Sequence, residues 1–204
     1  MRNVFIYGAG GHGKVALYSL DLRNWNVVGF VDDSRRGIYG THRIYSKTEI
    51  SDLNAHAFHV AIGTNSSRRK IQTELERSNL EPLTIVHLCA HRYPGSLVGV
   101  GSLLLPNCVV GPDAILGDGC ILNHNAIVDH DCVIGSFSHI APGAILGGAV
   151  KIGDNCFIGA GAIILPGLVV GDSVTVGAGA VVTRDIPSGK TVSGTPARQH
   201  KRLV

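Results

Sequence analysis

Residues 127–148 read IVDHDCVIGSFSHIAPGAILGG, and two readings compete for them. Residues 132–150 contain no Asp, Glu, Lys or Arg, and about 18 consecutive apolar residues suffice to span a bilayer. Yet the run holds Gly135, Gly143, Gly147, Gly148, Pro142, His139 and two serines, a poor composition for a transmembrane helix. Periodicity decides against a membrane span. From Val98 every sixth residue is a branched aliphatic: Leu104, Val110, Leu116, Leu122, Val128, Ile134, Ile140, Leu146, Ile152, Ile158, Ile164, Val170, Val176 and Val182, fifteen hexads in one register.

Four positions after each aliphatic stands a small or modest side chain, such as Ser102, Cys108, Ala114, Cys120, Ala126, Cys132 and Ser138, and the residue directly after the aliphatic is often Gly. A period of six matches neither the 3.6 of a helix nor the 2 of an alternating strand. It predicts a parallel β-helix with three hexads per coil, aliphatics filling the interior and glycines relieving the turns. Fifteen hexads make five coils, with residues three hexads apart stacked at about the 4.7–4.9 Å inter-strand spacing.

At 204 residues the chain suits one large or two small domains. The repeat divides it into residues 1–85, an α/β unit, and residues 86–204, the β-helix with a C-terminal tail. A formal charge of +3 with 16% charged residues, and no basic run interleaved with aromatics, gives no nucleic-acid signature. Cys108, Cys120, Cys132 and Cys156 share the small-residue slot of the hexad. Their spacings are multiples of six, not metal-ligand spacings, so they read as inward fillers and no metal is expected. Unpaired cysteines, Cys89 included, with no recognisable signal peptide point to a reducing cytoplasm.

The first unit opens with RNVFIYGAGGHGKVALYSL, an apolar strand running into a glycine-rich turn and a helix. Gly8, Gly10 and Gly13 satisfy G-x-G-x-x-G, and VVGFVDD supplies a second strand ending in Asp32 and Asp33, at the offset a dinucleotide fingerprint expects. A third strand, FHVAIGTN, precedes a helix expected over 66–79, giving a short Rossmann-like β-α-β-β-α-β outline. Glycines there let backbone N–H groups approach a pyrophosphate at a helix N-terminus. A tight turn without ligand and a nicotinamide site are the alternatives. Against the latter, no second α/β half follows. A P-loop is excluded by Val15, which stands where Ser or Thr must hold magnesium.

Within the hexads the polar exceptions are His124, His130 and His139. His124 and His130 lie two residues after their aliphatics and project outward, while His139 closes its hexad at what reads as a corner. An exposed solenoid histidine is ordinarily just solvated. His130 differs because Asp129 and Asp131 flank it, and a carboxylate that orients an imidazole also stabilises the imidazolium. One coil below lies Gly148, whose N–H is unobstructed by a side chain and is a candidate oxyanion donor.

Together the hexads, YGAGGHG, FVDD, AIGTN, DHDCVIGSFSHIAPGA and the closing SGTPAR resemble the bacterial sugar acyltransferases of the PglD and NeuD group over essentially the whole chain. The resemblance implies a left-handed β-helix, a homotrimer, and acetyl-coenzyme A bound between neighbouring β-helices. It further implies that the N-terminal domain binds a nucleotide-linked amino sugar. It assigns His130 as catalytic base, Asp131 as its partner and Asn123 as a third catalytic position. His139 and Gly148 match the acetyl-coenzyme A positions; Gly10, Gly11, His12, Asp32, Asp33 and Gly63 match the nucleotide-sugar positions. The partner acid is often Glu in this group, so the shorter Asp131 must either approach more closely or act through a water.

The expected reaction is acetyl transfer to the C4 amine of a UDP-linked 4-amino-4,6-dideoxy sugar in bacterial glycan biosynthesis. Sugar O-acetylation of the sialic-acid type, a GDP- or dTDP-amino sugar, and a catalytically silent trimeric scaffold are the alternatives. The basic residues Arg198, Lys201 and Arg202 are either partners for the phosphates of coenzyme A or solvated charges.

Overall fold

Each hexad forms a two-residue strand followed by a four-residue turn, because one aliphatic per six residues supplies one inward anchor per face of a triangular coil. A computed structural model describes residues 1–199. The strands stack in parallel with partners three hexads apart, as in Val109–Val110 on Ile127–Val128 and Ile115–Leu116 on Val133–Ile134. Three sheets result. The first face includes Leu103–Leu104, Ile121–Leu122, His139–Ile140, Phe157–Ile158 and Thr175–Val176. The second runs from His91–Arg92 through Val109–Val110, Ile127–Val128, Ile145–Leu146 and Ile163–Ile164 to Val181–Val182, and the third from Leu97–Val98 through Ile115–Leu116, Val133–Ile134 and Lys151–Ile152 to Val169–Val170. The architecture is a left-handed parallel β-helix. Within Cys89–Gln199 the ladder starts at His91–Arg92, one hexad before Val98, and Arg92, opposite Val110, occupies the aliphatic position there.

From Leu104 to Val182 every aliphatic of the register is at most 3% exposed, and burial of such a side chain contributes roughly 1.5–3 kcal/mol. From Val98 to Val176 the third residue after each aliphatic turns the corner in the left-handed region, filled by Gly or by Asn and Asp at most turns, Asn125 (φ 57°) and Asp131 (φ 59°) among them. Those residue types tolerate that conformation best. The glycine after the aliphatic answers a different need: a Cβ on Gly135 would lie 2.5 Å from the backbone of Gly153 in the next coil.

The chain separates into Met1–Leu88 and Cys89–Val204. In the first unit β1 (Arg2–Tyr7) leads through α1 (Gly11–Ser19) to β2 (Trp25–Val31), then a hairpin of β3 (Gly37–Tyr39) and β4 (His42–Tyr45). A 3-10 turn (Lys47–Asp52), β5 (Ala57–Val60), α2 (Asn65–Glu76) and β6 (Glu81–Pro82) complete it. The sheet order is β3-β4-β2-β1-β5-β6, parallel except for the hairpin. That hairpin makes the unit richer than the outline read from the sequence. Its strands are three and four residues long, too short for a period to register. Phe5, Tyr7, Val31, Phe58, Val60 and Leu75 pack one face of the sheet.

Candidate active site

His130 stands on the edge where the chain passes from Ile127–Val128 on the second face to Val133–Ile134 on the third. Its Nδ1 lies 2.7 Å from Asp131 Oδ2. The contact is direct, so the shorter acid reaches the ring without an intervening water; the left-handed turn at Asp131 swings the carboxylate back toward its neighbour. A carboxylate can only accept, so Nδ1 carries the proton and Nε2 keeps its lone pair. The hydrogen bond to Asp131, and then the charge of Asp129, raise the imidazole pKa above its ordinary value. Asp129 also accepts the His130 N–H at 2.7 Å.

Gly148 occupies the stacked position one coil on. A Cβ there would sit 2.5 Å from His130 Cε1 and closer still to Nε2. The imidazole therefore rests against a surface that only glycine leaves open. Along this edge the stacked residues are Pro112, His130, Gly148 and Pro166. The prolines have no N–H, that of His130 is held by Asp129, and that of Gly148 has no hydrogen-bond partner among the described residues. The edge thus presents a basic ring nitrogen beside an open amide donor, the two parts that acyl transfer to an amine or hydroxyl requires.

Asn123 is placed elsewhere. It lies on the edge between first and second faces, where its Oδ1 accepts the His124 N–H at 2.9 Å and faces His124 Nδ1 at 2.8 Å. That fixes the amide orientation, so Nδ2 is the group 3.1 Å from His139 Nε2, which must accept. His139 begins a strand and faces outward rather than marking a corner, packs edge-on against Phe157 with centroids 5.3 Å apart, and is 8% exposed. One chain therefore carries two clusters, His130–Asp131–Gly148 and Asn123–His124–His139, on different edges.

In the first unit the glycines divide by what surrounds them. A Cβ on Gly8 would meet Ala61 O at 2.8 Å, and one on Gly13 would overlap Gly8 O, so these two serve the close packing of turn and helix. Gly10, Gly11 and Gly63 face open space. No side chain caps the N-terminus of α1 at Gly10, which leaves that end suited to an anionic ligand. His12 occupies the first turn of α1. Asp32 is engaged by its own chain: Oδ2 accepts the Ala9 N–H at 2.9 Å, and Oδ1 accepts from Ser34 N–H, Ser34 Oγ–H and Arg35 N–H at 3.0, 3.1 and 2.9 Å. Burial alone would raise its pKa, but these donors hold it below the usual range.

Asp33 accepts from the Tyr7 hydroxyl at 2.7 Å. Tyr7, and Arg35 whose Nη1 reaches Ala9 O at 3.3 Å, were not legible as members of this cradle. The signals were an aromatic directly before Gly8 and a basic pair, Arg35 and Arg36, one residue beyond FVDD. Of the tail cations Arg198 donates to Ala197 O, and Lys201 and Arg202 lie outside the described residues. Among the described residues no group of His, Cys, Asp and Glu is arranged to hold a metal ion, and no helix is long and apolar enough to cross a membrane.

Known families cover most of this architecture. Residues 3–75 match the PglD N-terminal domain, 113–148 the bacterial transferase hexapeptide (six repeats), and 149–184 the hexapeptide repeat of succinyl-transferase. The acetyltransferase domain of PglB from Neisseria gonorrhoeae FA1090, solved in complex with acetyl coenzyme A, is 36% identical. The match covers 98% of this chain and 99% of that one with a TM-score of 0.92. The chain belongs to the PglD family of hexapeptide acyltransferases.

Two further members of the PglD family are informative. PerB from Caulobacter crescentus, solved with CoA and GDP-perosamine, is 31% identical, with 98% of each chain covered and a TM-score of 0.93. UDP-N-acetylbacillosamine N-acetyltransferase of Bacillus subtilis (strain 168) is 32% identical over 112 residues, 52% of each chain. The match thus spans about half the length of that curated relative.

Proposed function

We propose that this PglD-family chain transfers the acetyl group of acetyl-coenzyme A to the amine of a nucleotide-linked amino sugar. The observation that carries the reading is His130 Nε2, held in its basic tautomer by Asp131 and lying against Gly148, whose N–H is open. As the amine adds to the thioester carbonyl, Nε2 takes its proton. The imidazolium is stabilised by Asp131 and Asp129, the Gly148 N–H donates to the developing oxyanion, and as that intermediate collapses the C–S bond breaks and the imidazolium returns its proton to the sulfur, so coenzyme A leaves as the thiol. The thiols of Cys108, Cys132 and Cys156 are buried and pushed up in pKa by that burial, which disfavours them as nucleophiles.

The nucleotide is assigned to the open face over Gly10, Gly11, His12 and Gly63. Asp32 and Asp33 shape that cradle through Ala9 and Tyr7. An Asp32 already accepting four hydrogen bonds has little capacity left for a ribose hydroxyl, which weighs against a nicotinamide dinucleotide. The acceptor is the C4 amine of a UDP-linked 4-amino-4,6-dideoxy sugar, supported by the bacillosamine relative. A GDP-linked amino sugar is the second reading, favoured by the GDP-perosamine bound to PerB.

A homotrimer reconciles the two edges. Apolar side chains stay exposed on the second and third faces, Ile145 (38%) and Val133 (41%) among them, flanking the His130 edge. Packing of copies through these faces would bring the Asn123–His124–His139 edge of one copy to the His130 edge of the next, with acetyl-coenzyme A between them.

The test is release of coenzyme A thiol from acetyl-coenzyme A with UDP- and GDP-linked 4-amino sugars, comparing wild type with His130→Ala and weighing the product. Acceptor-dependent release that collapses in the variant supports the reading, and the preferred nucleotide names the substrate. Release with hydroxyl sugars alone would replace it with O-acetylation. No release with any acceptor would leave a scaffold.

A further inference from the structure

Seven turns of the β-helix among the described residues are closed by a backbone bond from the residue in the small slot to the residue three before it, as in Ala126 N–H to Asn123 O at 3.0 Å and Ala162 N–H to Gly159 O at 3.0 Å. Elsewhere that bond is missing, and in several of those turns an inward side chain from the previous coil bridges across instead, Cys120 to Gly135 O and Cys156 to Gly171 O among them. On the edge between third and first faces, Ser138 Oγ–H donates to Gly153 O at 2.8 Å and accepts Cys156 N–H at 2.9 Å. Ser102 makes the same pair with Gly117 and Cys120. These bridges recur coil after coil on one edge and read as structural.

On the edge that carries His130 the same slot holds Ser96, Ala114, Cys132, Val150 and Leu168. Ser96 bonds within its own turn, to Tyr93 O. Cys132 is the residue that reaches across coils. Its Sγ–H donates to Gly147 O at 3.2 Å and its sulfur faces the Val150 N–H. No backbone bond closes the 147–150 turn among the described residues. The bridged carbonyl belongs to the Gly147–Gly148 peptide, whose N–H lies beside His130. Two consecutive glycines form the most conformationally free peptide available. Because a peptide is planar and trans, holding its carbonyl fixes the direction of its N–H, and a donor on the carbonyl polarises the amide and strengthens that N–H.

We propose that Cys132 is a positioning residue for acetyl transfer, its buried thiol aiming the Gly148 N–H at the space beside His130 Nε2. The inference rests on the reading of Gly148 as the oxyanion donor. Cys132 bonds to neither substrate and acts only through the peptide it holds.

Three variants test it with acetyl-coenzyme A and the amino-sugar nucleotide. Cys132→Ser keeps the donor. Cys132→Val removes it while filling the slot as Val150 and Val174 do, both fully buried. Cys156→Val makes the same chemical change on the other edge. The expected result for Cys132→Val is a kcat loss on the order of ten- to a hundredfold, the scale of a small misplacement of catalytic geometry. The KM for acetyl-coenzyme A stays within about twofold, the serine variant recovers most of kcat, and Cys156→Val keeps kcat. The Gly148 amide resonance, followed by NMR, moves in the valine variant and returns in the serine variant. Should Cys132→Val fail to fold, Cys132→Ala takes its place, since Ala114, Ala126 and Ala144 fill that slot elsewhere. Unchanged kcat in the donorless variant, equal losses in the serine and valine variants, or an equal loss in Cys156→Val would overturn the proposal. His130→Ala is run alongside: a variant that retained kcat would sink the base assignment, and the Gly148 resonance would still decide whether Cys132 orients the peptide.

Discussion

At the scale of single residues the site is defined by what Asp131 and Gly148 each do to one imidazole. The hydrogen bond to Asp131, and then the charge of Asp129, raise the pKa of His130, so with His130 as the proposed base the acid limb of a kcat–pH profile is expected above the value of an unperturbed histidine. Asp131→Asn removes the charge and leaves a weaker hydrogen bond. The expected outcome is an acid limb shifted to lower pH, toward the value of about 6.5 for an unperturbed histidine, with a reduced plateau because Nδ1 is no longer held as a donor. A limb that stays in place in the variant would show that another group governs it. Gly148→Ala tests the opposite face of the ring. The new methyl group would overlap the imidazole, the free end of a side chain that can swing away. Folding should therefore change little in thermal melts, while kcat falls on the order of 10²-fold as base and amide lose their alignment.

At the scale of elements, the glycine-rich turn between β1 and α1 separates structural from binding glycines by the space above each. Gly13→Ala would drive a methyl into Gly8 O. It is expected to lower stability by several kcal/mol, at the severe end of point substitutions, with loss of the native fold of the first unit read by circular dichroism. Gly11→Ala adds its methyl to open space in a helical position and should leave stability equal or up to about 1 kcal/mol higher. Its expected effect is a raised KM for the nucleotide sugar with no change in that for acetyl-coenzyme A. Equal KM values for both substrates in wild type and variant would remove Gly11 from the site.

At the scale of the whole molecule, the exposed apolar rows on the second and third faces bear on assembly. Val133→Asp places a charge in the middle of one such row, where Val133 is 41% exposed in the single chain. If copies pack through that face, the variant should sediment as a monomer and lose acetyl transfer, because the Asn123–His139 edge of a neighbour no longer meets His130. A variant that remained assembled and active would place the interface elsewhere.

The sequence by itself determined the β-helix, because one aliphatic every six residues admits neither helix nor alternating strand, and the stacking of residues three hexads apart follows from that count alone. It also pointed to His130, Asp131 and Gly148, since residues adjacent in sequence or stacked by the repeat are neighbours by construction. Other features needed the folded chain. The β3–β4 hairpin is too short to carry a period, and the occupation of Asp32 by Ala9, Ser34 and Arg35 depends on how two loops meet. The separation of Asn123 from His130 follows from which edge each turn falls on. Cys132 looked like any other inward filler; its thiol reaches Gly147 O of the next coil just as those of Cys120 and Cys156 reach Gly135 O and Gly171 O, and what sets it apart is that the carbonyl it holds belongs to the peptide beside His130. A repeat dictates which residues stack; the orientation of a buried hydrogen-bond donor is decided by the packing around it.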